Sequence, residues 1–379
     1  MSMNIGFDAK RAFHNRTGLG NYSRALIAAL DEFYPNNNYI LYSKNSKNEQ
    51  YYNWFRQLNH SQWVQPKSRS FGSLWRTFSI PGLLQEHHCD IYHGLSAELP
   101  IGKKPENTKY IVTIHDLIFL RLPQLFPFID RKIYYQKNIY ACKTADKIIA
   151  ISEQTKADLI NLLKVPAEKI DVVYQTCDAT FDQKWSDSDK QLLRHKYNLP
   201  NTYILNVGTL EERKNALIIL KALKTLPENI HAVFIGKQTA YQDSLNQFIE
   251  QNNLQHRVMF LSNIPFAELP GIYQLASVFA YPSRFEGFGI PILEALKSGI
   301  PTIAATGSCL EEAGGNGAVY FHPDDDLALK NAIEQILNNP SFTKELIEKG
   351  YKHADLFTNK SFADQTMKVY QSLTTSVKK

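Results

Sequence analysis

Ser277-Val278-Phe279-Ala280-Tyr281-Pro282-Ser283-Arg284-Phe285-Glu286-Gly287-Phe288-Gly289-Ile290-Pro291-Ile292-Leu293-Glu294-Ala295-Leu296 reads as a strand, a turn and the start of a helix. The apolar run stops at Pro282, and Pro291 suits a first helical turn, where its missing N–H is no loss. The amides of Gly287, Phe288, Gly289 and Ile290 would then lie at a helix N-terminus, unpaired and slightly positive. Such a place holds phosphate or sugar oxygens. Glu286 and Glu294 flank the loop, and ionised carboxylates accept hydrogen bonds from hydroxyls. The stretch therefore predicts a ligand carrying both phosphate and sugar.

The strand–loop–helix unit repeats in both directions along the chain. Toward the N-terminus, strands are expected at 3–8, 39–43, 90–93, 109–114, 147–151 and 170–174, with helices at 20–34, 127–145 and 153–164. A polar segment, 178–200, interrupts the pattern. Strands then resume at 203–208, 231–235, 257–261, 277–281, 301–304 and 318–321, with helices near 214–226, 242–253, 266–276, 291–298, 325–338 and 342–356. Alternating β and α segments make a parallel sheet covered on both faces. The expected fold class is α/β, with two doubly wound, Rossmann-like domains over 1–185 and 186–358. A last helix, 359–375, is expected to pack back on the first domain.

At 379 residues, 44% hydrophobic and 21% charged, the chain is long enough for about two to three domains with sizeable cores. The net charge of +5 is uneven: residues 1–195 hold 25 Lys and Arg against 19 Asp and Glu, and residues 196–379 hold 17 against 18. This is either an ordinary solvated surface or a face for an anionic partner such as phospholipid. Cys89, Cys142, Cys177 and Cys309 show no C-x-x-C spacing and read as reduced, buried thiols of a cytosolic protein. No signal-peptide pattern opens the chain, and no apolar run approaches the ~20 residues that cross a bilayer. Membrane contact would be peripheral.

Ligands of open α/β sheets gather beyond the carboxyl ends of the strands, so the residues just past each strand matter most. After 203–207 come Gly208-Thr209-Leu210-Glu211-Glu212-Arg213-Lys214-Asn215. Arg213 and Lys214 fall just before a helix that Asn215 could cap. Two cations there oppose the local dipole unless an anion is bound, and the pair suits a diphosphate. After 3–8 comes Thr17-Gly18-Leu19-Gly20-Asn21, a weak glycine signal that equally marks a plain turn; Gly18 would let a ligand approach the backbone. After 109–114 comes His115, either a structural strand-end histidine or a partner for a sugar hydroxyl or developing charge. His87, His88 and His93 have no metal-ligand spacing, and no metal or other cofactor is expected. Residues 63–78 interleave Trp63, Phe71, Trp75 and Phe78 with Lys67, Arg69 and Arg76. They read as a packed helix edge, a headgroup-boundary segment, or a stacking surface for single-stranded nucleic acid, the last disfavoured.

Glu286 and Glu294 with seven residues between, together with Gly208-Thr209-Leu210 and Arg213-Lys214-Asn215, resemble the retaining nucleotide-sugar glycosyltransferases of family 4. Thr17-Gly18-Leu19-Gly20-Asn21-Tyr22 and Thr113-Ile114-His115-Asp116-Leu117 are similar to its bacterial mannosyltransferase branch. The resemblance implies the GT-B fold, two Rossmann-like domains facing across a cleft, and metal-independent hexosyl transfer. It implies that Arg213 and Lys214 hold the donor diphosphate and assist its departure. Glu286 would bind donor-sugar hydroxyls, aided by the amides of Gly287, Phe288, Gly289 and Ile290. Glu294 would bind the ribose, and Gly18 would close over the diphosphate. His115 would face the sugar, and the base would lie near residues 262–264. The implied reaction moves a hexose, foremost mannose from GDP-mannose, to a glycan or lipid-linked saccharide in cell-surface polysaccharide synthesis. It would run in the cytoplasm, with peripheral inner-membrane contact through 63–78 and acceptor contact there and at 119–130. UDP-hexose and UDP-N-acetylhexosamine donors stay open. A nucleotide-sugar epimerase would need no acceptor, and a non-catalytic nucleic-acid-binding protein would need no sugar-facing residues.

Overall fold

The computed structural model describes residues 2–46, 48–66 and 72–374. Its contacts separate the chain into two units. The first runs to Thr176 and regains the chain from Phe357 onward; the second is Cys177–Leu356.

The first unit carries a seven-stranded parallel sheet: β1 (Asn4–Asp8), β2 (Asn38–Tyr42), β3 (Ser61–Val64), β4 (Ile91–Gly94), β5 (Lys109–Ile114), β6 (Lys147–Ala150) and β7 (Ile170–Val172), in the order β3-β2-β1-β4-β5-β6-β7. The second carries a six-stranded parallel sheet: β8 (Tyr203–Val207), β9 (His231–Ile235), β10 (Val258–Leu261), β11 (Val278–Tyr281), β12 (Thr302–Ala305) and β13 (Ala318–Phe321), in the order β10-β9-β8-β11-β12-β13. Each sheet reverses strand order beside its first strand, β1 against β4 and β8 against β11. That is the switch point at which doubly wound folds leave a crevice. The central strands are buried on both faces, which explains their unbroken apolar runs.

The final helix, Asn359–Thr374, packs on the helix Gly18–Phe33 of the first unit. Tyr370 from it enters a buried polar chain. Its hydroxyl is 2.7 Å from His93 Nδ1, His93 Nε2 is 2.8 Å from Thr113 Oγ1, and Thr113 Oγ1 is 3.0 Å from the Tyr22 hydroxyl. Burial pushes His93 down to about 3, so the chain holds a neutral imidazole.

Two expectations need correction. The polar segment 178–200 contains a helix, Asp187–Tyr197. Ser186 caps it through Asp189 N, acids occupy its first turn and Arg194, His195 and Lys196 its last. These are strong end signals in a segment with only one buried residue in that helix, Leu193. Second, the segment 63–78, for which a packed helix edge is one reading, is not a single helix edge: it opens in a strand, and a helix covers only Gly72–Phe78. Residues 61–64 form edge strand β3, which pairs in parallel with β2. Trp63 stacks on Phe13, ring centroids 4.0 Å apart, with Phe55 at 5.6 Å. The sequence signal was weak because β3 is short and none of its residues is fully buried. Arg76 is engaged by Asp8 at 2.7 Å and also by Glu98. Lys67, Arg69 and Phe71 of that segment lie outside the described residues.

Candidate active site

In the second unit, the loops after neighbouring strands β8 and β11 meet at the carboxyl edge. Glu212–Lys214 forms a single 3-10 turn, and Asn215 comes next in the left-handed region at φ +58°. Asn215 does not cap the next helix; its amide donates to the carbonyls of Pro282, at 3.2 Å, and Pro323, at 2.7 Å. The side chain thus ties this turn to the β11 loop. A backbone bond from Arg284 N to Arg213 O, 2.9 Å, joins the loops again.

Glu286 lies between the two cations. Its Oε2 is 2.8 Å from Arg213 Nη1, and its Oε1 is 2.6 Å from Lys214 Nζ. Ser283 Oγ donates to Oε1 at 2.7 Å and the Tyr281 hydroxyl donates at 3.0 Å. Lys214 Nζ also donates to the Tyr281 hydroxyl, and Arg213 to the Phe285 carbonyl and, at 2.6 Å, to Glu211. Burial alone would raise the Glu286 carboxyl. Lys214 and Arg213, with hydrogen bonds from Lys214 and Ser283, outweigh it and hold the group down at about 2. The side chains are recessed, at 14%, 15% and 11% exposure for Arg213, Lys214 and Glu286. The sequence reading separates a cation clamp from a sugar-binding acid; the structure joins all three in one network.

Gly289 stands at φ +112° as the N-cap of the helix Ile290–Lys297, and a Cβ there would meet Leu310 Cδ2 at 2.9 Å. A side chain at this position is therefore excluded by both backbone and space. The Phe288 side chain is buried, and Cys309 Sγ lies 3.1 Å from the Glu286 carbonyl and 3.2 Å from that of Phe288. This thiol holds the loop's carbonyls to one side. Glu294 sits one turn into the helix and accepts from the Tyr273 hydroxyl at 2.9 Å. Burial pushes its carboxyl up to about 7, against the Tyr273 hydrogen bond that lowers it. Residues 262–264 come directly after β10 at the same carboxyl edge, with Asn263 at φ +57°.

In the first unit, His115 Nε2 donates to the Leu95 carbonyl at 2.9 Å, which leaves Nδ1 as the acceptor nitrogen. Burial pushes the ring down to about 4, so it is neutral at pH 7. Tyr22 meets it edge-on at 4.5 Å. Gly18 is the exposed first residue of its helix, with open space where a Cβ would stand. Gly20 is the sterically required glycine, because a Cβ there would lie 2.0 Å from the Asn15 carbonyl oxygen. Asn15 Oδ1 accepts from Thr17 N at 2.7 Å and Gly20 N at 3.3 Å, so it, not Thr17, satisfies this helix start.

Sequence reasoning missed Glu211, Tyr273, Tyr281, Ser283 and Cys309. Tyr281 and Ser283 flank the turn proline, and that position at a strand end was the available signal. The Asp8–Arg76–Glu98 cluster was also missed, although Asp8 is the last residue of β1. Among the described residues no three His, Cys, Asp or Glu side chains are grouped as metal ligands.

The sequence family described as Glycosyl transferases group 1 matches residues 188–353, and the one described as Glycosyltransferase Family 4 matches residues 16–181. The chain belongs to the family 4 glycosyltransferases. This glycosyltransferase is 28% identical over 296 residues to the O-antigen chain mannosyltransferase B of Escherichia coli, covering 76% of each chain. It is 30% identical over 231 residues to the O-antigen chain mannosyltransferase RfbU of Salmonella typhimurium, covering 60% of this chain and 61% of that one. Among solved structures, Anabaena Alr3699/HepE in complex with UDP and glucose matches with a TM-score of 0.75 at 19% identity, over 98% of this chain and 100% of that one. The two units are thus the Rossmann-like halves of the GT-B fold, and the enzyme is a hexosyltransferase.

Proposed function

We propose that this glycosyltransferase moves mannose from GDP-mannose, with retention, to a glycan or lipid-linked saccharide in cell-surface polysaccharide synthesis at the cytoplasmic face of the membrane. The observation that carries the reading is the recessed Arg213–Glu286–Lys214 network at the β8/β11 switch point. The names of the O-antigen relatives support mannose and the polysaccharide product.

Cleavage of the bond between sugar and diphosphate leaves positive charge on the sugar and negative charge on the phosphate. Arg213 presents a planar fork and Lys214 a point charge to the departing oxygens. Both cations are oriented beforehand by Glu286, so little reorganisation is needed as charge develops. Glu286 Oε atoms also accept sugar hydroxyls, and Glu294 accepts those of the ribose. His115, neutral and with Nδ1 as acceptor, takes a further sugar hydroxyl. The acceptor hydroxyl attacks the anomeric carbon from the face the phosphate leaves, and a phosphate oxygen takes its proton. The reaction needs no metal in this scheme, since the cation pair supplies the charge.

Thermal unfolding with GDP, UDP and ADP, and with their hexose conjugates, tests the donor. Stabilisation grows with the ratio of ligand to Kd. The largest shift is expected for GDP and GDP-mannose; a larger shift with UDP reassigns the base, and none with any nucleotide overturns the reading. Turnover is expected to persist in EDTA. Conversion of donor without acceptor into an epimer would instead indicate an epimerase.

A further inference from the structure

The helix Phe128–Thr144 buries only Asn138, Ala141 and Cys142, all in its second half. Its opening turns carry Phe128, 60% exposed, and Ile129, 70% exposed, then Ile133, Tyr134 and Tyr135, all exposed. A helix in a globular unit ordinarily hides such an apolar set. Phe78 and Ile101 are also exposed, on segments bonded to the same helix, Phe78 by way of the Ile101 loop. Ile101 N bonds Thr77 O at 2.7 Å, Pro100 O accepts from the Tyr140 hydroxyl, and Lys137 reaches Glu98 at 3.5 Å, so the loop 98–101 is tied both to this helix and to the one bearing Phe78. Seven of the thirteen large hydrophobics exposed among the described residues thus lie on this helix or on segments bonded to it. Patches of this kind mark interaction sites.

Charge selects the partner. Arg131 and Lys132 lie over the Phe128 ring, at 5.4 and 4.5 Å from its centroid. Lys137 and Lys103 are exposed nearby, and Asp130 is the sole acid in the helix's first turn. Aromatic and aliphatic tips among basic side chains suit the headgroup layer of an anionic bilayer, into which the rings insert while the cations meet phosphate. No helix among the described residues is long and apolar enough to cross a membrane, so contact is lateral. We infer that the N-terminal half of the helix Phe128–Thr144, with Phe78 and Ile101, is a docking surface for anionic phospholipid. The site shares Phe78 with the segment 63–78, whose Trp63 is packed on Phe13. It rests on the reading that the acceptor is lipid-linked. Glu98 joins it to Arg76 and Asp8 at the carboxyl edge of β1, so a docked membrane would lie beside the mouth of the first sheet.

The test is flotation of the full chain with vesicles of phosphatidylcholine alone or with 30% phosphatidylglycerol, without donor. Wild type is expected to float with the anionic vesicles and weakly with the neutral ones. Arg131→Gln with Lys132→Gln should lower partitioning roughly 30-fold, and Phe128→Ser with Ile129→Ser should abolish it. Unchanged melting and GDP-induced stabilisation in both variants certify the fold; because that donor readout is separate, failure to bind lipid and failure of the donor assignment are distinguishable. Wild type that stays unbound, or variants that bind as wild type does, overturns the inference. So does a concentration-dependent dimer lost in the Phe128→Ser, Ile129→Ser variant, which would assign the face to a second copy.

Discussion

Replacing Glu286 by Gln keeps the shape of the side chain and removes the charge that Arg213 and Lys214 share. The carboxyl is held at about 2 against an ordinary 4.5. At 1.36 kcal/mol per pKa unit, the fold favours the ionised form by roughly 3 kcal/mol. Because the folded value is depressed, this stability is fully present above pH 4.5 and is lost as pH falls from 4.5 toward 2. Glu286→Gln should therefore destabilise the second unit by roughly 3 kcal/mol at pH 7, a drop in Tm of about 6–12 °C for a domain of this size. The deficit should shrink at pH 3.5. Adding GDP should restore part of it, since the diphosphate supplies the anion the two cations have lost. The assay is unfolding followed by circular dichroism at both pH values, with and without GDP, alongside kcat/KM, expected to fall ten- to a hundredfold or more through the lost sugar contact. A deficit below about 1 kcal/mol at pH 7, or one unchanged by both acid and GDP, would refute the electrostatic coupling.

Arg213→Ala with Lys214→Ala should cost about 10³-fold in kcat/KM, from two charge-assisted contacts to the departing diphosphate; turnover near wild type at saturating donor sinks the clamp. Glu294, raised to about 7, binds its proton more tightly folded than unfolded, so wild-type stability should fall between pH 4.5 and 7 relative to Glu294→Gln, by roughly 3 kcal/mol in all. Parallel pH profiles for the two proteins would contradict this. Tyr370→Phe leaves buried His93 without its Nδ1 partner and should lower stability by about 1–3 kcal/mol, read by urea unfolding; a neutral effect would mean the buried chain is not continuous.

Much of this architecture was legible in the residues. Short apolar runs separated by helical patterns identified twelve of the strands, the central ones most clearly because they are buried on both faces. Edge strand β3 escaped, since its four residues, Ser61 to Val64, form no apolar run and none is fully buried. The helix Asp187–Tyr197 escaped for the converse reason: its ends are well marked, but it has almost no apolar stripe. At the site, Arg213, Lys214, Glu286 and Glu294 could be nominated from residue type and position at strand ends. Their partners could not, because Tyr273, Tyr281, Glu211 and Ser283 are ordinary residues until the fold sets them within 3.0 Å of those groups.

The glycine-spaced stretch opening at Ser283 determined by itself that a turn must enter a helix, since Gly289 and Pro291 restrict the backbone locally. Local chemistry also determined that cations and carboxylates stand at strand ends. Only the tertiary structure decided that Glu286 neutralises Arg213 and Lys214, residues more than seventy positions away, because that contact depends on β8 lying beside β11. It likewise decided that Trp63 faces the core while Phe128 and Ile129 face solvent. Similar apolar side chains take opposite environments according to which neighbours the sheet and its crossovers bring against them, and sequence spacing does not encode those neighbours.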